Sequence, residues 1–430
     1  MLALETLVGE IAPGPLSALQ ARALARVRAA GVPSVREEAW KYTDLRLVRE
    51  GEFSTAVPST AGITKVHPLL ESCGHRLVFV DGKLDENLSR SADLPAGVRL
   101  RSFRELQAGE AGALATLLDR YAAEDAQVFA ALNAANARDG AVLDIGQGVA
   151  MEQPVLVAFL HTAAAARQFS TPLLIVRAAR NAQAQVLELH HGEVGALNLA
   201  APLTHLAAEA GSQIEHWRLQ HEAAAALHLA HVEAVVGADA RVATYAFAFG
   251  ARLARVEIGA SLEAPGASVL MNGLFNAGSG QHLDHQTRID HRAPHTTSEE
   301  LFKGLAGGDG RGVFRGQVIV RPDAQKISAR QASHNLLLSA DAEIDTKPEL
   351  EIYADDVSCA HGATVGQLDD AALFYLRSRG VPEAEARALL VFGFTQEVVE
   401  QVSFRPLRGW LAEQLAGSAE VPLPNLEEVE

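Results

Sequence analysis

The chain is poor in thiols. Its 430 residues include two cysteines, Cys73 and Cys359, far apart and outside any C-x-x-C grouping. That argues against a disulfide framework and fits a reducing compartment. It also limits metal chemistry, because a cubane iron–sulfur cluster normally takes four thiolates. A chain with two can meet such a cluster only through a partner's ligands, or through histidine and carboxylate. Positive charge is short as well: 37 basic side chains stand against 53 acidic ones, a net charge of −16, with no Lys/Arg cluster. Nucleic acid and anionic membrane surfaces are therefore excluded as partners. No run of about 18 uncharged apolar residues is present, which excludes a spanning helix. The opening MLALETLVGEIAPG carries Glu5 and Glu10 and lacks a basic n-region, so a secretory signal is not expected and a cytoplasmic location is.

Familiar catalytic motifs are missing too. The glycine-rich Gly304–Gly316 segment is not followed by G-K-[ST], so it is not a nucleotide P-loop; tight packing at a sharp turn accounts for it. His221-Glu222 lacks a second histidine, position 225 being Ala, and no G-x-S-x-G elbow occurs. Nothing suggests a self-sufficient active site. Aromatics, at 5%, are too few for the solvent groove of a β-helix carbohydrate lyase or hydrolase.

The part before about residue 150 reads as mixed α/β. Pro15 to Ala30 has apolar residues at helical spacing and ends at Gly31 and Pro33. RLVFV at 76–80 is a strand meeting the turn dipeptide Asp81-Gly82. The alanine- and leucine-rich stretch 103–136 is expected to be helical. Beyond residue 150, short apolar runs (PVLVAFLH, LLIVRA, QIEHWRLQ, RVATYAFAFG, SVLMNGLF, GVFRGQVIV) alternate with small turn groups, and helical periodicity disappears. Turn groups recur 27 to 28 residues apart, at Gly211, Ala238 and Gly266. A repeated strand–small turn–strand unit predicts a stacked solenoid, a right-handed parallel β-helix, with a β-sandwich as the rival reading. After it, 369–379 opens with acids and ends with Arg377, Arg379 and Gly380, as a helix prefers. Pro382 begins a second helix to 394, and 395–402 and 406–415 form two more. The first of these helices is expected to cover the open end of the last coil. The predicted domains are 1–148 (mixed α/β), 149–365 (parallel β-helix) and 366–430 (helical).

The most informative stretch is 343–366, EIDTKPELEIYADDVSCAHGATVG. In an extended chain residues two apart leave one face, so Cys359 and His361 project together and share that face with Val357. The apolar neighbour predicts a face partly buried at rest. The histidines His282, His285, His291 and His295 are close in sequence, but on a strand the first two face opposite ways, so a zinc site there requires a turn.

The segment Arg311–Asp370, together with REEAWKYTDLRL at 36–47 and LVFVDGKL at 77–84, closely resembles the SufB/SufD family of iron–sulfur cluster assembly scaffolds. CAHGAT at 359–364 is similar to the SufD branch, since the SufB branch tends to carry Glu where Gly362 stands. The resemblance implies an N-terminal mixed domain, a central β-helix and a C-terminal helical domain. It implies pairing with SufB through β-helix ends, a homodimer being possible without SufB, and a SufC ATPase carried on the C-terminal helices. It implies a non-catalytic scaffold that binds no nucleotide itself. The cofactor is a nascent iron–sulfur cluster shared with SufB, with His361 an iron ligand and Cys359 beside it. Apolar residues in excess on the C-terminal helices place the ATPase contact around Arg387, Leu389, Leu390, Phe392 and Phe394.

Overall fold

The structure is a computed structural model and describes residues 3–55, 63, 66–165 and 167–417. The end of the predicted helical domain, 418–430, lies outside the described residues. The fold is mainly β, with a parallel solenoid of about eight turns, an N-terminal α/β region and C-terminal helices.

Two sheets, of ten and eleven strands, face each other across the solenoid. Apart from the antiparallel strands at its beginning, every ladder is parallel and in register. In the ten-stranded sheet Gln183, Gln213, Arg241, Ser268, Thr297, Ser328 and Ser358 stack as successive rungs, so one turn takes 27 to 31 residues. This agrees with the periodicity of the turn groups. Strands Thr297–Ala306 and Ile327–Leu337 belong to this sheet and Leu203–Ala208 to the other; their polar or glycine-bearing sequences give no apolar run to read. The bore between the sheets is filled by Val, Ile, Leu and Ala, with Phe302 and Phe314 meeting at 4.9 Å.

Three glycines expected in a sharp turn, Gly304, Gly312 and Gly316, lie inside strands. A Cβ on Gly304 would come 2.2 Å from Phe275 Cζ, and one on Gly316 would come 2.3 Å from Gln331 Nε2. The Phe275 ring takes the space that Gly304 leaves on the neighbouring rung, and Gln331 reaches Gly316 from the opposite sheet.

The first end of the solenoid is closed. Strand Lys83–Leu84 turns back antiparallel on His75–Val80 through Asp81 (φ 49°) and Gly82 (φ 77°), as a type I′ turn requires. Strand Val98–Ser102 runs antiparallel along Ala141–Ile145 and borders the other sheet. These strands show that the sheets already include chain upstream of residue 149.

Helix α1 (Ser17–Ala30) ends where Gly31 at φ 63° donates its N–H to Val27. After α2 (Arg46–Glu50), the 103–136 stretch is broken rather than continuous: α3 (Ala108–Leu118) tightens into a 3₁₀ turn before α4 (Val128–Ala135). Tertiary bonds override helix propensity here. The buried Tyr121 hydroxyl meets His205 Nδ1 at 2.7 Å, and Arg26 Nε donates to the Ala126 carbonyl at 2.8 Å. The 36–47 segment clamps onto the solenoid, with the Arg255 guanidinium 3.8 Å from the Trp40 ring and Thr43 donating to Asp284 at 2.5 Å.

At the C-terminus, α5 (Asp370–Ser378) is capped by Asp369, whose carboxylate accepts from the Ala371 N–H. The helix beginning after Pro382 does not stop at Phe394. It runs unbroken as α6 (Glu383–Val399), because Gly393 is exposed and nothing there favours a turn. Helix α7 (Arg405–Gly417) follows. The helices do not lie over the end of the last coil as expected. Val391, Val398, Val402, Leu407 and Leu411 pack along the flank of the ten-stranded sheet, on Trp217, Leu219, Tyr245 and Phe247. Trp217 is fully buried and stacks on Phe404 at 5.7 Å, and Lys303 ties α6 down by donating to the Phe394 carbonyl at 2.7 Å. An apolar flank this large outcompetes the end of the coil for the helices.

Candidate functional site

Because the helices take the flank, the last coil stays open. Its two strands, Glu343–Ile352 and Val357–Gln367, each pair on one side only. Each therefore presents a free edge of backbone N–H and C=O groups ten or eleven residues long. Most residues of the final strand are exposed, whereas Thr297–Ala306, two coils further in on the same sheet, is mostly buried. Among the described residues, the large apolar side chains left exposed are three isolated valines (Val35, Val66, Val194), Ile352, Tyr353 and Val365 on the last coil, and Phe374 and Tyr375 on α5. Scattered single valines need no explanation; the two groups do.

The in-register ladder decides where Cys359 and His361 point. Cys359 sits above Ala329 and His361 above Gln331, and both Ala329 and Gln331 face the buried bore. Parallel in-register neighbours share a face, so thiol and imidazole both belong to the mouth of the bore. Val357 and Cys359 are half-buried against the bore's apolar filling, whereas His361 is exposed. The expectation of a partly buried face thus holds for the thiol and not for the imidazole. No conformational opening is needed for His361 to meet a metal. Burial pushes the Cys359 thiol up, opposed by a backbone hydrogen bond from Ala329, so thiolate is scarcer there than in free cysteine. Together the two side chains offer one sulfur and one nitrogen donor atom, fewer than the four ligands a cluster normally takes.

Below His361 the column continues inward through Gln331 and Glu300 to Met271. Gln331 Nε2 donates to Glu300 Oε2 at 2.7 Å. Glu300 is buried with this neutral amide as its partner, and burial pushes its carboxyl from 4.5 up to about 7. A raised carboxyl pKa means that the folded chain holds a proton the unfolded chain has lost. Stability therefore falls as pH rises from about 4.5 through about 7, and the full penalty is present above that. Glu300→Gln is expected to stabilise the protein by about 3 kcal/mol at pH 8 and to change little at pH 4. Urea unfolding at both pH values checks this; an equal effect at the two would show that no titration is involved.

The histidines of 282–295 do not converge. His282 bonds Thr43 at 2.9 Å, and His285 lies between Phe275 and Phe302, at 5.4 and 5.5 Å. His291 is held by Thr296 and Ser298 at 2.7 and 2.9 Å. They are structural.

On the C-terminal helices, Arg387 is exposed and paired with Glu383 at 3.4 Å, and Leu389, Leu390 and Phe392 are half-buried. Phe394 packs inward, with Lys303 Nζ 4.7 Å from its ring centroid. Phe374 and Tyr375 are exposed on α5, at 73% and 57%. Their i, i+1 spacing puts them on different helix directions, so only the packing of Leu373 shows which way the helix faces.

Residues 159–394 match the family profile described as SUF system FeS cluster assembly, SufBD core domain, and residues 4–157 match the SufBD protein N-terminal region. An iron–sulfur cluster assembly SufBD family protein of Synechocystis is 30% identical over 395 residues, covering 88% of this chain and 86% of that protein. The iron–sulfur cluster assembly protein SufD of Escherichia coli is 28% identical over 372 residues, 86% of this chain and 85% of its own length. The chloroplastic protein ABCI7 of Arabidopsis thaliana is 24% identical over 388 residues, 87% of this chain and 80% of that one.

Proposed function

The chain belongs to the SufBD family of iron–sulfur cluster assembly proteins, and from that premise we propose that it is the SufD-like scaffold of a SufBCD-type complex. In this reading the open end of the solenoid docks a SufB-like subunit. His361 offers an iron ligand at the seam, Cys359 lies beside it, and the nascent cluster is completed by ligands from the partner. The cluster is cargo, held transiently and passed on. A SufC-like ATPase docks on the C-terminal helices around Arg387, Leu389, Leu390 and Phe392, with Phe394 beneath them and Phe374 and Tyr375 beside them. ATP is bound and hydrolysed by that subunit, and this chain acts without catalysis of its own, in the cytoplasm. The proposed division of labour assigns 1–148 to closing and clamping the solenoid, 149–365 to the scaffold and 366–430 to the ATPase contact.

One observation carries the reading: a thiol and an imidazole, Cys359 and His361, share one face at the uncapped mouth of an otherwise closed solenoid. Two ligands on an unpaired edge have a use only when a second chain brings the others. The test is co-expression with the partner subunits, wild type against His361→Ala, scored by iron and sulfide in the purified complex. Cluster content is expected to fall severalfold in His361→Ala and less in Cys359→Ser, whose thiol is the poorer ligand at neutral pH. Unchanged content in His361→Ala would mean that the cluster forms elsewhere.

A further inference from the structure

Far from the mouth, three histidines converge on the flank of the solenoid. His67 precedes the first sheet strand, while His191 and His221 are direct rung neighbours on successive coils. One ring nitrogen of each lies within 4.8 Å of the others, and the ring centroids are 5.0 to 5.8 Å apart. Trp410 of α7 covers the group, 5.3 Å from His67 and 5.1 Å from His221. We propose that His67, His191 and His221 form a binding site for one divalent transition-metal ion of the zinc type, roofed by Trp410, with a fourth position open to water.

Several features favour a ligand over plain packing. His191 Nδ1 donates to the His221 carbonyl at 3.0 Å, which places its lone pair on Nε2; that is the arrangement ligating histidines adopt. His67 Nε2 and His221 Nδ1 are buried without a protein partner, a cost that a phenyl ring would not carry. The neighbouring coil makes the contrast, since there Phe249 meets Trp410 at 5.7 Å. Three imidazoles around zinc, at Zn–N of about 2.0–2.1 Å, stand roughly 3.4 Å apart. Side-chain adjustments of about 1 Å therefore close the present spacing. His67 must also move its proton to Nδ1, giving up a long 3.3 Å bond from the Leu69 N–H. His191 and His221 are half-buried, which leaves a way in. An all-imidazole set suits zinc, with cobalt as its spectroscopic substitute.

The test uses the full chain, stripped with chelator and titrated with zinc alone. One zinc per chain is expected, retained through desalting, and cobalt should give the visible absorption of a tetrahedral site. Both should be lost in His191→Phe/His221→Phe, which keeps ring packing like that of Phe249, and the variant's fold is checked by circular dichroism. Cys359→Ser/His361→Ala should bind zinc like wild type. The proposal is overturned if wild type binds no zinc, if zinc survives in the folded double-Phe variant, or if it is lost only with the mouth residues.

Discussion

Replacing Phe374 with aspartate is expected to abolish capture of the proposed ATPase partner while leaving the thermal midpoint of the isolated chain within about 2 °C. Phe374 is 73% exposed, so the free chain loses almost no packing when the ring is removed. In a complex the ring would be desolvated. Aromatic anchors at interfaces cost about 2–4 kcal/mol when truncated, and an unpaired carboxylate left in their place adds a desolvation penalty. Since about 1.4 kcal/mol is tenfold in affinity, binding should weaken by more than about a hundredfold. Pull-down of the ATPase by tagged wild type and variant, alongside calorimetry of each, decides the matter; full capture by the variant would move the dock off α5. Deleting residues 381–430 would be a poorer experiment. It strips α6 and α7 from Trp217, Tyr245 and Phe247, exposing a flank that ought to aggregate on its own.

The solenoid was legible because its period is a backbone property: coils stack only if small turn residues return every 27 to 31 positions, and that spacing survives in the sequence. The strand pair of Cys359 and His361 was legible for a similar reason, alternation being local. What was not legible depends on competition between surfaces distant in sequence. Apolar residues on α6 and α7 look the same whether they cover an end or a flank. Only the apolar outer face assembled from Trp217, Tyr245, Phe247 and Leu274, on three separate coils, shows where they go. The break in the 103–136 helix follows from a hydroxyl reaching His205, 84 residues away. His67, His191 and His221 were invisible as a group because two of them meet through stacked coils and the third through the segment before the first strand. An HH dipeptide at 190–191 is the one local hint, and its first member points elsewhere, to Glu188 at 2.5 Å.

Val365→Asp, with Ile352→Asp as its companion, is expected to disconnect this chain from the SufB-like partner proposed for its open end. Both residues face the mouth and are exposed, at 43% and 40%, so each substitution costs the isolated chain little. The argument for a large effect lies in what a seam between two solenoid ends has to do. It must pair two long strand edges whose N–H and C=O groups are otherwise left to water, and close the bore so that its apolar filling continues across the junction. An aspartate at either position would bury a charge with no cation opposite it, or hold the seam wet. Desolvating an unpaired carboxylate costs several kcal/mol, which translates to at least about a hundredfold in Kd. Sedimentation of the mixed subunits should show the wild-type pair and, for the double variant, separate chains. If the isolated chain pairs with itself through the same mouth, the variant should sediment as a monomer there too. Undiminished pairing in both settings would place the interface away from the open coil, and with it the shared ligand site. Loss of pairing with the thermal midpoint preserved would tie His361 to a seam, because no residue of the last coil can then reach a second chain's ligands by another route.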